Sequence, residues 1–482
     1  MTQPNVIQPV AATIVPLCVD LDGTLLRSDT LYESVFDAIT NDYSVIFRLP
    51  FLLLRGKAHL KQKVSELTEF DPETLPWRED LIRDLKELKE SGRRLILVTA
   101  AAAPISRAVA AHLGFFDEVI SSSETHNLKG KNKVAKLVEL FGERGFDYVG
   151  DANADFYVWR SARHAWVVGK PSFAARARSA GIEVERVYEE KANPVRAFWK
   201  GMRAYQWVKN LLIFAPMLMA HHFQDGPRWI AAVTAFFSFS LMASAGYLIN
   251  DLLDRRNDRL HVRKRKRPFA SGDLPLTWAA LIPVLVLTAI ALAASLSLRS
   301  LEILLLYFVF TFAYSVRLKN RAIIDVVILS CLYSSRIAMG SYATRTPVSV
   351  WLISFSIFVF FTLALAKRAA ELRMWERSGK LNVPGRGYTV SDLPIVEGMG
   401  VGSAYVSALV LALYLQSPSV LVLYRHPRLL WLILPLLLAW LSHVWLVTHR
   451  GEMTDDPILF ALKNRMSLAI VGAIVLLAVL AV

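Results

Sequence analysis

Residues 250–258 read Asn-Asp-Leu-Leu-Asp-Arg-Arg-Asn-Asp, and on a helix Asp251, Asp254 and Asp258 fall at i, i+3 and i+7, on one face. Three carboxylates so placed repel one another. A divalent cation relieves the repulsion, and hard oxygen donors of this kind, with Asn250 as a fourth, suit Mg²⁺ bridged to phosphates. A solvated acidic end to a helix is the plainer reading of the same residues. What favours metal binding is the setting, between an apolar run, Trp229–Ile249, and a basic run, Arg263–Arg267. A second pair of carboxylates, Asp20 and Asp22, closes the apolar stretch Thr13–Val19. That stretch reads as a buried parallel strand, and ligands bind beyond the carboxyl ends of such strands.

The elements that must hold these groups fall into two parts. At 482 residues the chain exceeds one ordinary domain, and its 54% apolar content is unevenly spread. Residues 1–190 read as a soluble α/β domain with a helical cap at about 28–90. Residues 191–204 read as an interfacial linker, with Arg196, Lys200 and Arg203 interleaved with Phe198, Trp199 and, just beyond it, Trp207. Ala174 to Arg196 is taken as the link between domains. Residues 205–482 read as an all-α polytopic membrane bundle. Nine spans are expected, at about 205–224, 228–250, 277–297, 301–316, 322–342, 349–367, 399–416, 427–448 and 461–481. Loops after the even-numbered spans hold eighteen Lys and Arg, and the others hold few. The positive-inside rule then puts those loops, the soluble domain and both acidic sites on the cytoplasmic side of a bacterial-type inner membrane. The net charge of +14 lies largely beside spans, so it points to lipid headgroups and phosphorylated substrates rather than nucleic acid. Met1–Pro9 has no leader-peptide pattern, and two cysteines, Cys18 and Cys331, imply no disulfide framework.

In the first part, strands are expected at Leu95–Val98, Glu118–Ile120, Tyr148–Val149 and Ala165–Val168. Helices are expected at Asp80–Glu90, Ile105–His112 and Lys133–Phe141. The alternation argues a doubly wound sheet. Asp20-x-Asp22-Gly23-Thr24, Thr99 at a strand end, a lysine and Gly150-Asp151-Ala152-Asn153-Ala154-Asp155 follow one another in order. This resembles the four motifs of the haloacid dehalogenase (HAD) superfamily. The lysine is Lys129, Lys131 or Lys133, and Lys133 is preferred because it begins a helix. The resemblance implies an Asp20 nucleophile that takes a phosphoryl group and an Asp22 general acid and base. It also implies Mg²⁺ on Asp20, Asp151 and Asp155, with Thr99 and the lysine on the remaining phosphoryl oxygens. A degenerate scaffold is the alternative, and Asp155 on its own is also a plausible helix cap. In the cap, Val45–Leu54 is apolar and is followed by Arg55, Lys57, Lys61 and Lys63. Too short to span, it is either cap core or a helix facing the membrane.

The second part resembles the UbiA superfamily of intramembrane prenyltransferases, on its spans and on Asn250-Asp251-x-x-Asp254-x-x-x-Asp258. In quinone-pathway members a second aspartate cluster follows the sixth span. Here Lys367-Arg368-Ala369-Ala370-Glu371 stands instead. With Gln206-Trp207-x-Lys209-Asn210, Tyr314, Lys319, Asp325 and Arg450-Gly451-Glu452…Asp455-Asp456-Pro457, this resembles the polyprenyl-phosphate phosphoribosyltransferase branch. That branch implies phosphoribosyl pyrophosphate (PRPP) as donor and a polyprenyl phosphate as acceptor. Mg²⁺ would sit on Asn250, Asp251, Asp254 and Asp258, and Lys319, Lys367 and Arg368 would hold phosphates. Tyr314 would orient a phosphate, and Lys209, Asn210 and Asp325 would belong to the substrate site. Arg336, inside the fifth span, is expected to face a cavity or a carboxylate. Two alternatives stay open. One is an aromatic prenyltransferase using a prenyl diphosphate. The other is a non-enzymatic transporter or scaffold with an inactive HAD head.

Overall fold

The computed structural model describes residues 15–54, 56, 60, 63–64, 66–68, 70–122, 128–347, 349–379, 387–453 and 456–482. Thr13, Arg55, Lys57, Lys61 and Asp455, all used above, lie outside them. The chain divides into two compact units. One joins residues up to Met202 with Leu248–Leu281; the other joins Arg203–Tyr247 with Ile282–Val482.

The first unit is built on six parallel strands. They are β1 Leu17–Val19, β2 Leu95–Ala102, β3 Glu118–Ser122, β4 Asp147–Gly150, β5 Ala165–Gly169 and β6 Val184–Glu189. Their order, β3-β2-β1-β4-β5-β6, reverses between β1 and β4, which opens a crevice at those strand ends. Alternate residues serve opposite faces. Leu17, Val19, Leu95 and Leu97 enter one core, and Cys18, Ile96, Val98 and Tyr148 enter the other. A sheet covered on both faces needs near-continuous apolar runs, and these were the runs visible in sequence.

β6 corrects the sequence reading. Ala174–Arg196 is not simply a link, because it holds the end of the helix Pro171–Ser179, then β6, then the start of the helix Pro194–Met202. β6 was hidden by its polar letters. As an edge strand it buries only Tyr188, while Glu185, Arg186 and Glu189 are exposed. The cap helices Thr30–Asn41 and Val45–Leu54 leave the sheet after Arg27 and return at Trp77, where Leu26 bridges Trp77. Glu79–Glu90, expected within the cap, instead places Leu81 and Leu85 in the core of the sheet. Residues 248–281 add the end of the helix Gly226–Leu253 and the short helices Arg255–Leu260 and Pro268–Ser271.

The expectation of nine spans is not confirmed. Among the described residues seven helical stretches are long and apolar enough to cross a membrane. They are Gly226–Leu253, Leu276–Leu296, Leu298–Val316, Ile324–Ala343, Val350–Arg377, Val390–Leu415 and Pro427–His449. Arg465–Ala481 is a shorter apolar helix of 17 residues. The segment expected at 205–224 is a 3₁₀ run, Ala204–Phe214, followed by the brief helix Ala215–Met219. Two features account for this: Lys209 and Asn210 are turned inward and buried by tertiary contacts, and Pro216 occupies a first-turn position that restarts the helix. The helix Val350–Arg377 runs ten residues beyond the expected end at 367, so Lys367, Arg368 and Glu371 lie on a helix rather than in a loop.

Candidate functional site

The crevice at the ends of β1 and β4 gathers the predicted phosphoryl-transfer residues. Carboxylate oxygens of Asp20, Asp151 and Asp155 lie within 4.8 Å of one another. The turn after β1 permits this through Gly23, at φ +78°, where an added Cβ would lie 2.2 Å from the Asp151 carboxylate. Thr24 Oγ1 donates to Asp151 at 3.0 Å. Asp155 Oδ2 accepts the backbone N–H of Asp151 and Ala152 at 3.1 and 2.8 Å, so Asp155 both shapes the turn and joins the acidic group. Of the three candidate lysines, Lys133 enters: its Nζ is 2.9 Å from Asp20 Oδ1, and it donates at 2.8 Å to the Tyr148 hydroxyl. Tyr148 donates in turn to Asp155 at 3.1 Å. Thr99 is fully buried near the end of β2, its hydroxyl accepting the Ala101 N–H at 3.0 Å.

The charges explain the electrostatics. Burial, then the neighbouring Asp20 charge, pushes Asp151 well above the usual carboxylate range and Asp155 up to about 6. Burial alone would lower Lys133, but Asp20 and Asp155 outweigh it and keep the ammonium charged. Burial and the nearby Asp29 raise Asp22 to about 7, although Asp22 Oδ1 accepts the Thr30 N–H at 2.7 Å. A carboxyl at that level can both give and take a proton. Three carboxylates, buried Asp20 and Asp155 and half-buried Asp151, facing one ammonium carry excess negative charge, and their hard oxygens fit a divalent cation. Tyr148 was missed in sequence because a buried strand residue reads as core.

The acidic stretch 250–258 is bent rather than one continuous helix. The long helix stops at Leu253, and Asp254 caps the helix Arg255–Leu260. Buried Asp251 and Asp258 still converge: Arg267 Nη1 lies 3.1 Å from Asp251 Oδ1 and 2.8 Å from Asp258 Oδ2. The Arg267 guanidinium thus neutralises both carboxylates; in the chain Asn250 immediately precedes Asp251, and Asp254 lies between Asp251 and Asp258. Among the described residues no three carboxylates of this stretch come within the spacing found at Asp20. Arg255 and Arg259, interleaved with the acids, point to the cap. Arg255, fully buried, binds Glu33 Oε2 at 2.9 Å and the Glu33 carbonyl at 2.8 Å, and it pairs with Asp37. Arg259 binds Glu33 Oε1 at 2.6 Å and the Thr74 carbonyl at 2.8 Å. No sequence signal singled out Glu33, whose partners lie far along the chain, or Arg267, which stood as one member of a basic run.

Within the second unit, polar side chains collect in two groups. In one, Asp456 Oδ2 lies 3.1 Å from Lys209 and 3.5 Å from Lys367, and Lys209 stands over the Tyr333 ring. Asn210 joins it to Arg336: Arg336 Nε donates to Asn210 Oδ1 at 2.8 Å, and Asn210 Nδ2 donates to Ser240 at 2.8 Å. Arg336 was expected to meet a cavity or a carboxylate. It lies 4.9 to 5.3 Å from the rings of Phe239, Tyr307 and Tyr333, whose π-faces attract the cation, and among the described residues no carboxylate pairs with it. In the other group Arg368 lies 2.9 Å from Asp325 Oδ2 and also pairs with Glu371, while Tyr388 donates to Asp325 Oδ1 at 2.7 Å. Tyr314 ends the helix Leu298–Val316, and Lys319 sits in the following turn, Leu318–Asn320; both are half-buried. Tyr388 was missed because its loop shows no periodic pattern.

Comparison with known proteins agrees with both halves. The UbiA prenyltransferase family matches residues 211–471, and the haloacid dehalogenase-like hydrolase family matches residues 17–160. Protein y4nM of Sinorhizobium fredii is 37% identical over 94% of this chain and 88% of its own length. Nodulation protein NoeC of Azorhizobium caulinodans is 32% identical over 57% of this chain and 90% of its own. Decaprenyl-phosphate phosphoribosyltransferase of Mycobacterium tuberculosis is 36% identical over 40% of this chain and 66% of its own. With the parallel α/β sheet before it and the apolar helices that follow, the chain is a member of the UbiA prenyltransferase family carrying an N-terminal HAD-like domain.

Proposed function

We infer that the membrane part transfers 5-phosphoribose from PRPP to a polyprenyl phosphate, and that the HAD-like part is a phosphatase that removes the 5-phosphate from the product. The observation that carries this reading is the character of the second polar region. Basic groups, Lys209, Lys367 and Arg368, stand there with Asp456, Asp325 and Glu371 where a second metal site would need acids alone. The phosphoribosyltransferase relative supports the same branch.

In the transferase, Asn250, Asp251, Asp254 and Asp258 would hold Mg²⁺, which when bound neutralises the pyrophosphate of the donor. The bond from ribose C1 to the pyrophosphate oxygen breaks, and the pyrophosphate keeps the electron pair. An anionic oxygen of the lipid phosphate forms the new bond to C1, so no base is required. Lys319, Lys367 and Arg368 bind phosphates and Tyr314 orients them, while Lys209, Asn210, Arg336 and Asp325 shape the substrate site. In the HAD-like part, Asp20, Asp151 and Asp155 would hold a second Mg²⁺. Asp20 attacks phosphorus while Asp22 protonates the departing ribose oxygen. Asp22 then takes a proton from the water that frees phosphate from Asp20. Thr99 and Lys133 balance charge on the phosphoryl oxygens. The basic loops support a cytoplasmic position for both sites.

The test uses membranes holding the full chain, labelled PRPP and polyprenyl phosphate. A lipid-linked product should form, Asp254→Ala should abolish it, and Asp20→Asn should let the phosphorylated form accumulate. Turnover of isoprenyl diphosphate with an aromatic acceptor, and none of PRPP, would refute the reading.

A further inference from the structure

The cap helix Val45–Leu54 carries two apolar stripes. Val45, Leu49 and Leu52, at i, i+4 and i+7, pack with Ala38, Ile39, Leu60 and Val64 in the cap core. Phe47, Phe51 and Leu54 repeat that spacing about 200° around the helix, on its far side. They are 78%, 70% and 84% exposed, and Ile46 beside them is 49% exposed. A helix that covers a soluble core presents polar residues outward. A contiguous outward apolar stripe marks a surface that meets something else.

Leu253 identifies the partner. It ends the apolar helix Gly226–Leu253 and packs against the same cap cluster as Leu49 and Leu52. Leu253 and the cap helix belong to one compact unit, and Leu253 closes a helix long and apolar enough to cross a membrane, so this packing keeps the cap helix beside that helix's end. Buried Arg255, two residues further on, fixes this arrangement through Glu33 and Asp37 of the neighbouring cap helix. Arg48, exposed between Phe47 and Phe51 in the chain, adds a cation suited to headgroup phosphates.

We propose that Val45–Leu54 is an interfacial membrane helix, with Phe47, Phe51 and Leu54 inserted at the boundary of headgroups and acyl chains. The occupant of this face is the bilayer itself. The cap so anchored presents the Asp20 crevice to a phosphate monoester that stays in the membrane by its lipid tail. That substrate class rests on the phosphatase reading above; the docking does not.

The test places a single environment-sensitive fluorophore at position 47 (F47C, with Cys331→Ser) in the full chain, reconstituted in vesicles of neutral and anionic phospholipids. A control probe replaces exposed Glu90. The expected result at 47 is blue-shifted emission, quenching by nitroxide-labelled lipid and protection from iodide, with the reverse at 90. Iodide quenching at 47 equal to that at 90 overturns the docking. Protection from both quenchers also overturns it, because it means a protein contact. In parallel, a Phe47→Asp, Phe51→Asp double variant should lose about tenfold in hydrolysis of a lipid-anchored phosphate monoester and keep hydrolysis of a soluble aryl phosphate. Equal effects on the two substrates overturn the link to the substrate. Hydrolysis of neither substrate by the unmutated chain, with the position-47 signal intact, removes the phosphatase reading and leaves the docking.

Discussion

At the scale of the residue, the N-terminal crevice is a charge balance resting on Lys133. Its ammonium touches Asp20 directly and reaches Asp155 through Tyr148. Lys133→Met should therefore reduce phosphate-ester hydrolysis by about 10²- to 10³-fold, measured on a soluble aryl phosphate. Lys133→Arg should restore only part of that, because a planar fork does not replace a compact charge. The motif residues Asp20, Asp22, Asp151 and Asp155 were legible in sequence because each follows an apolar strand. The sequence favours Lys133 as the start of a helix; the helix begins instead at Lys131, and Lys133, two residues in, is the lysine turned inward. Asp456 was quoted in sequence without a role. Only the fold brings it to Lys209, 247 residues earlier, and to Lys367.

At the scale of the element, the Glu33 cluster ties the helix Thr30–Asn41 to the helix Arg255–Leu260. Burial would raise the Glu33 carboxyl, but Arg259 and Arg255 outweigh it and hold it at about 2, against 4.5 in a free side chain. A folded value below the unfolded one means stability that is present above about pH 4.5 and lost as pH falls toward 2. The gap corresponds to roughly 3 kcal/mol. Glu33→Gln leaves Arg255 buried without its carboxylate, so it should cost roughly 3–5 kcal/mol at neutral pH. In thermal unfolding of the full chain, the difference between the variant and the parent should shrink as pH is lowered from 5 to 3. A pH-independent difference would contradict the assignment. In the second unit, a Cβ on Gly340 would lie 1.9 Å from the Ile213 carbonyl oxygen. Gly340→Ala should force the helix Ile324–Ala343 off the 3₁₀ run Ala204–Phe214, at a cost of roughly 1–3 kcal/mol. A melting temperature unchanged by this substitution would show that the approach relaxes freely. Strongly periodic or continuous apolar segments were legible as elements. β6 and the 3₁₀ run were not, because polar edge residues mask the first and tertiary contacts of Lys209 and Asn210 override helix formation in the second.

At the scale of the whole molecule, the positive-inside argument is open to direct measurement. A cysteine introduced at Lys264, exposed in the basic run, should react with an impermeant maleimide only after the cytoplasmic face is opened. Labelling of intact cells or spheroplasts would reverse the proposed orientation. The two-part organisation was legible from the uneven apolar content. The assignment of residues 248–281 to the same compact unit as the sheet was not, since it depends on ion pairs such as Arg255–Glu33 between residues 222 positions apart. That grouping has a practical result for anyone wishing to dissect the chain. Severing it between Met202 and Arg203 would not yield two self-sufficient halves. The truncated C-terminal fragment would keep Asp251, Asp254 and Asp258 but leave the guanidinium groups between them facing solvent where Glu33 and Asp37 had been. Co-expressing the excised head, rather than omitting it, is the remedy this arrangement implies.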